Sequence, residues 1–379
     1  MFLYTVAGQA ITPFIPLQAR HLGMRVGTIG LLLGVQGIAA LLASLFGGLW
    51  LGALGPRRLV FWGSVLSVGA LGVVWLWPTV AVLVLVLPVV WAVWAVTAIA
   101  SQTLVLTRAH PQARDHAVGM HAFYSSLGMT VGPLLGSAAV RLSGGIAAVF
   151  LVAALATVLA SIVALFAQDP GRLEFARPRS PFAGIFPIQR HVTLALGGVL
   201  VAELCYVGWS TFFPLVMQTA GRTPEFIGGV FAVNGVVLAA IRPGLARVVL
   251  RLSRQGVLVA SLGLFAVGLW LALFPHSILF TLGCAALLGL GVGLIFPTTI
   301  LLVSAGSEGE LLGRLLSVRF LMVTLGQMLG PALTGVVAGV SLTGALGAAG
   351  ALAAGTGVWA FAYARSGRFL DTRKSAMLP

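Results

Sequence analysis

The chain has 379 residues, of which 59% are hydrophobic and 8% charged, against about 25% charged in an ordinary soluble domain. That balance excludes a soluble fold. The net charge of +14, which in a soluble protein would suggest nucleic acid, is explained here by basic loops beside a membrane, so no nucleic-acid partner is expected.

Apolar runs of the roughly 20 residues that a helical bilayer crossing needs recur along the whole length. They lack the alternation of barrel strands, so an all-α membrane protein of about twelve transmembrane helices is expected. In chain order the predicted spans are 1–19, 26–51, 57–77, 79–106, 116–140, 145–167, 191–218, 225–250, 254–274, 277–304, 311–339 and 341–365. The N-terminus has no basic region or small-residue cleavage site and leads straight into further spans, so it reads as a first helix and not a signal peptide. Ten connections are short. The exception, Gln168 to Arg190, is the stretch richest in proline and arginine, which marks a linker. The predicted organisation is a six-helix half (1–167), a central loop (168–190), a second six-helix half (191–367) and a tail (368–379).

Assigning loops alternately to the two sides puts Arg57, Arg58, Arg108, Arg114, Arg172, Arg177, Arg179, Arg190, Arg247, Arg251, Arg254, Arg314, Arg365, Arg368, Arg373 and Lys374 on one side. Only Arg20, Arg25, Arg141 and Arg222 fall on the other. Positive loops stay in the cytoplasm, which predicts a multi-pass protein of a bacterial-type inner membrane with both termini cytoplasmic.

The two halves repeat. A shift of 198 residues superimposes Thr12-Pro13-Phe14-Ile15-Pro16-Leu17 on Ser210-Thr211-Phe212-Phe213-Pro214-Leu215, Gly30 on Gly228, and Gln36-Gly37 on Asn234-Gly235. It also superimposes Gly128, Gly132 and Pro133 on Gly326, Gly330 and Pro331. A constant offset from the first helix to the fifth of each half is the signature of an internal repeat. Transporters are commonly assembled from such repeats, with the substrate between them near the bilayer midplane. Met1 aligns with Val199, so the opening turns of helix 7 have no counterpart in helix 1, and a natural start upstream of Met1 is expected.

In helix 5 the pattern Gly119-x8-Gly128-x3-Gly132-Pro133-x2-Gly136 resembles the motif of drug and proton antiporters of the major facilitator superfamily, with Ser137 in place of its last glycine. Its glycines share one face, which lets a neighbouring helix approach closely. The resemblance covers the whole chain and implies the major facilitator fold and transport of a small molecule by alternating access, with efflux coupled to protons as the expected mode and uptake symport as the alternative. A non-transporting sensor or lipid translocator of the same fold is the alternative from another class. Two departures weaken the antiport implication. Between helices 2 and 3 the family usually carries Gly-x-x-x-Asp-Arg-x-Gly-Arg-Arg, whereas this chain reads GLWLGALGPRR with Gly52 and Ala53 at the charged positions, and in helix 4 LPVVWAV lacks the expected arginine.

Of the eight acidic residues, Glu203 alone lies well inside a span, about 18 Å from the start of helix 7 at the helical rise. An intramembrane carboxylate is costly and by default functional, so Glu203 is the candidate for proton coupling or for binding a cationic substrate. Glu203, Tyr206 and Ser210 share a helix face, as do Thr5, Gln9 and Thr12 in helix 1. The resemblance implies that helices 1 and 7 line the central cavity. For Thr12 and Ser210 a bond to nearby backbone is an equal alternative.

Gln36 and its repeat partner Asn234, with Gln102 in helix 4, are amides suited either to substrate or to joining helices. Arg242 and Arg319 lie within about three turns of the basic side, where snorkelling accounts for a charge. His121 aligns with Arg319 and, with Tyr124, is a candidate proton path. Cys205 and Cys284 fall in apolar runs without ligand spacing, so no metal is expected, and there is no phosphate-binding Gly-x4-Gly-Lys loop to hold a nucleotide. The expected partners are membrane lipid, a small-molecule substrate and protons, with no cofactor and a monomeric chain. An enzyme is not expected, because no catalytic cluster converges within the spans.

Overall fold

The computed structural model describes residues 1–108, 114–166, 189–241, 245–305 and 309–375. Among them the regular structure is helical throughout: α1 (Phe2–Ile11), α2 (Ile15–His21), α3 (Val26–Leu54), α4 (Pro56–Leu76), α5 (Val80–Arg108), α6 (Arg114–Ser143), α7 (Ala148–Phe166), α8 (Arg190–Thr219), α9 (Pro224–Ile241), α10 (Leu245–Leu271), α11 (Ile278–Val303), α12 (Gly309–Ala338) and α13 (Leu342–Ser375). Ten of these are long and apolar enough to cross a membrane. The exceptions have local causes. Helix α6 spends its first turns on Arg114, Asp115, His116 and His121, and the first crossing is divided into α1 and α2.

That division corrects the predicted continuous helix over 1–19. Neither Pro13 nor Pro16 can donate a backbone hydrogen bond, and the chain passes through turns at 12–14, with Phe14 N–H donating to Ile11 O at 2.9 Å. The repeat partner α8 has only Pro214 at this level, because Thr211 stands opposite Pro13, and it runs unbroken from Arg190 to Thr219. A second correction concerns the eighth span: α9 ends at Ile241, and 245–250 belong to α10. Pro243 and Gly244 are strong helix breakers. Helix α10 is itself kinked at Ser253, whose φ of 63° lies in the left-handed region.

Packing repeats with the sequence. Within the first half α1 packs on α6 and α7, α3 on α5, and α4 on α5 and α7; within the second, α8 packs on α12 and α13, α9 on α11, and α10 on α11 and α13. The halves meet along two matching seams, α3 against α12 and α9 against α6. A Cβ at Gly30 would lie 2.5 Å from Pro331 O, and one at Gly228 would lie 2.7 Å from Pro133 O. Deeper in, Gly37 meets Met328 and Gly235 meets Met129 and Thr130. Only glycine permits these approaches, and each contact has its counterpart 198 residues away.

Both seams start at the side carrying the α2–α3 and α12–α13 connections. Gly37 lies eleven residues into α3, so at the helical rise the seam reaches about 16 Å deep, near the middle of a bilayer. On the opposite side arginines bond the ends of helices: Arg57 donates to Leu165 O at 2.5 Å and Arg254 to Leu301 O at 3.0 Å. These are last-turn carbonyls of α7 and α11, where a cation also complements the helix dipole.

Candidate functional site

Where the seams end, the halves enclose a cavity of about 550 Å³, within the range of small-molecule sites. Its wall draws on both halves. Gln9 and Thr12 come from the first crossing, Gln36 and Gly37 from α3, Trp91 from α5, Ser125 and Met129 from α6. From the second half come Glu203, Tyr206, Ser210 and Thr211 on α8, Phe231 on α9, Phe296 on α11, and Gln327 and Pro331 on α12. Glu203 is the one charged side chain among these lining residues. Counted from the seam-side helix ends at the helical rise, the lining residues Gln327 and Trp91 lie about 16 Å deep and Phe296 and Ser125 about 27 Å. Leu33, Phe231 and Pro331, about 10 Å deep, also line it, so the cavity runs alongside the inner part of the seams and on toward the arginine-rich side.

Glu203 is 5% exposed, and its carboxylate accepts a 2.7 Å hydrogen bond from Gln327 Nε2. Its position follows from the repeat. Glu203 corresponds to Thr5, and both rest on the first glycine of the repeated Gly-x-x-x-Gly-Pro segment opposite: a Cβ on Gly326 would lie 2.7 Å from Glu203 Cβ, and one on Gly128 would lie 2.6 Å from Thr5 Cβ. Thr5 faces Ser125 Oγ at 3.2 Å and is absent from the cavity wall, which corrects its expected place there. The next motif glycines serve the same close packing, Gly132 against Gln9 and Val6, Gly330 against Leu204, and Gly136 against Ala10. Gly119 lies on α6 with its surroundings outside the described residues.

Arg319 does not snorkel. It is 8% exposed, donates through Nε to Thr299 Oγ1 at 2.9 Å and through a terminal nitrogen to Phe296 O at 2.8 Å, and sits over the Phe296 ring. Its spacing of eight residues from Gln327 sets it about two turns along α12, toward the arginine-rich side.

Of the remaining candidates, Gln9, Thr12, Gln36, Tyr206 and Ser210 reach the wall. Thr12 and Ser210 also donate to their own helices, to Gly8 O at 2.8 Å and Val207 O at 3.0 Å. Asn234 does not reach the wall. It accepts from Tyr206 Oη at 2.9 Å and donates to Ala285 O at 2.9 Å, joining α8, α9 and α11. Tyr124 is 46% exposed, beside Phe123, and is not among the lining residues. His121 has a buried Nε2 without a hydrogen-bond partner and does not line the cavity. Arg242 and the side chain of Gln102 fall outside the described residues. Sequence reasoning missed Gln327, whose available signal was an amide directly after the repeated Gly326, and the aromatic residues Trp91, Phe231 and Phe296, which composition does not separate from lipid-facing ones.

A family model described as Major Facilitator Superfamily matches residues 1–256 and 221–376. Among solved structures, a mutant of the nucleoside transporter NupG superimposes with a TM-score of 0.79 at 15% identity, over 96% of this chain and 97% of that one. A second NupG structure gives 0.78 at 14% identity, over 96% of both. No curated protein matches the sequence. At these identities the structural likeness shows the fold.

Proposed function

Because the chain belongs to the major facilitator superfamily, we propose that it carries a small hydrogen-bonding molecule across a cell membrane by alternating access, with Glu203 coupling that movement to protons. The observation that carries the reading is one carboxyl group on the wall of a cavity between two repeated halves, held by the uncharged amide of Gln327. A carboxylate in this setting exchanges a proton without opening an ion pair, and protonation weakens its hold on the Gln327 donor, which ties proton binding to a contact between α8 and α12. Amides and hydroxyls together with Trp91, Phe231 and Phe296 suit a cargo with a flat ring and several polar groups.

The arginine distribution supports a bacterial-type inner membrane, cytoplasmic termini and a cavity facing the cytoplasm in this state. The helix 5 motif supports export in exchange for protons. A second reading, import together with protons, is favoured by the polar wall, which suits a hydrophilic solute. Purified protein in vesicles with an acidic lumen separates them: exchange accumulates cargo inside, and symport expels it. Glu203→Gln removes the response to the gradient under either direction while the melting temperature is kept. A variant that still follows the gradient would eliminate Glu203 as the coupling group.

A further inference from the structure

Gln36 is 1% exposed and lines the cavity, yet neither Nε2 nor Oε1 of its amide has a hydrogen-bond partner. Other buried side chains with an unpartnered atom are Ser67, Trp94, His121, Trp209, Thr281 and Thr298. Among the described residues only Gln36 leaves two separate side-chain atoms unmet, and only Gln36 among them is on the cavity wall. A buried amide without partners is costly, and each such group in a folded protein calls for an explanation.

The repeat supplies the contrast. Asn234, the counterpart of Gln36, has its amide met by Tyr206 Oη and Ala285 O. The counterpart of Tyr206 in the first half is Gly8, which offers no hydroxyl. One half completes its own amide at this level, and the other leaves the buried amide of a cavity-lining residue unpaired. Gln36 also adjoins Gly37, where α3 packs on Met328 of α12, so the unpaired amide belongs to a residue shared by the seam region and the cavity wall.

We propose that Gln36 is a cargo-binding residue that takes an uncharged donor–acceptor pair, an N–H beside a C=O or ring nitrogen as in a carboxamide, a lactam or the edge of a nucleobase, through two parallel hydrogen bonds. This rests on the reading of the cavity as the transport site and narrows the cargo to molecules bearing such an edge. A site built around an amide rejects analogues lacking the matching group, because its own polar atoms are then left unpaired. Cargo bound at Gln36 also completes the buried amide at the inner end of the α3–α12 seam, which favours the closed seam over the open one.

The test uses the full chain in nanodiscs and matched probe pairs: uridine with 3-methyluridine, adenosine with N6,N6-dimethyladenosine, and nicotinamide with N,N-dimethylnicotinamide, with choline and glucose as compounds lacking the edge. Thermal-shift titration of the wild type is expected to favour the unmethylated member of at least one pair by about tenfold to a hundredfold. Gln36→Leu is expected to abolish that preference, and Gln36→Asn to restore part of it. Without ligand, Gln36→Leu is expected to melt at or above the wild-type temperature, since removing both unmet atoms with an apolar side chain of similar shape is neutral or stabilising. A lower melting temperature, a preference that survives Gln36→Leu, or binding of choline or glucose alone would each overturn the proposal. Loss of the preference with pH-driven flux still present in Glu203→Gln would instead remove the coupling reading and leave the Gln36 site standing.

Discussion

Adding one methyl group to the seam is expected to shift the whole transport cycle. An alanine Cβ at position 37 would lie 2.6 Å from Met328 Cα and 3.0 Å from its backbone nitrogen, against 3.4–4 Å for ordinary contact. The obstruction is backbone, so α3 and α12 must part by about 1 Å or more, and overpacking of this kind costs about 1–3 kcal/mol. The cost falls on the state in which the seam is closed and is absent where the seam is open, so Gly37→Ala is expected to raise the open-seam population by about 5- to 150-fold. The assay is labelling of Ser210→Cys, on the cavity wall, by an impermeant maleimide applied from either side, with the buried Cys205 and Cys284 replaced by alanine. Labelling from the seam side should rise with Gly37→Ala, and Gly235→Ala should reproduce the effect through the matching seam. An unchanged seam-side rate in both variants would refute the argument that these contacts gate the cavity.

Other substitutions probe the supporting structure, each read by the melting temperature of purified protein. Gly132→Val should prevent folding or lower stability severely, because its Cβ meets Gln9 Cβ at 2.7 Å and Val6 O at 2.8 Å, whereas Gly69→Ala, with nothing within 4 Å, should be nearly silent. Tyr206→Phe should cost about 1 kcal/mol or more, since it leaves Asn234 Oδ1 without its donor. Arg319→Met should cost about 1–3 kcal/mol by stripping donors from Thr299 and the Phe296 carbonyl.

Much of the fold was legible because the repeat is legible. The offset pairing Gly30 with Gly228 and Gly37 with Gly235 also pairs the seams, and the shared face of Gly128, Gly132 and Gly136 became the bed for α1. Glu203, Tyr206 and Ser210, which share a helix face, all line the cavity. What escaped depends on details that periodicity does not carry. Pro13 has no proline counterpart, so the break between α1 and α2 breaks the symmetry, and the end of α9 at Ile241 falls within a run that still looks helical. Helical spacing gives a face but not its neighbours. Thr5 lies on the same stripe as Gln9 yet is taken up by α6, and Asn234 is consumed by Tyr206, while its partner Gln36 remains open. Nearness in sequence pairs Tyr124 with His121, yet Tyr124 is exposed and His121 has a buried ring nitrogen, and neither is among the lining residues.

The most direct test of the central claim is to follow protons and cargo together. In lightly buffered vesicles with a pH-sensitive dye in the lumen, addition of the compound giving the largest thermal shift should change luminal pH in wild-type protein, with the sign reporting exchange or symport. Glu203→Gln should bind that compound and leave the pH unchanged. A proton signal of wild-type size from Glu203→Gln, or cargo flux in the wild type without any proton movement, would contradict the account.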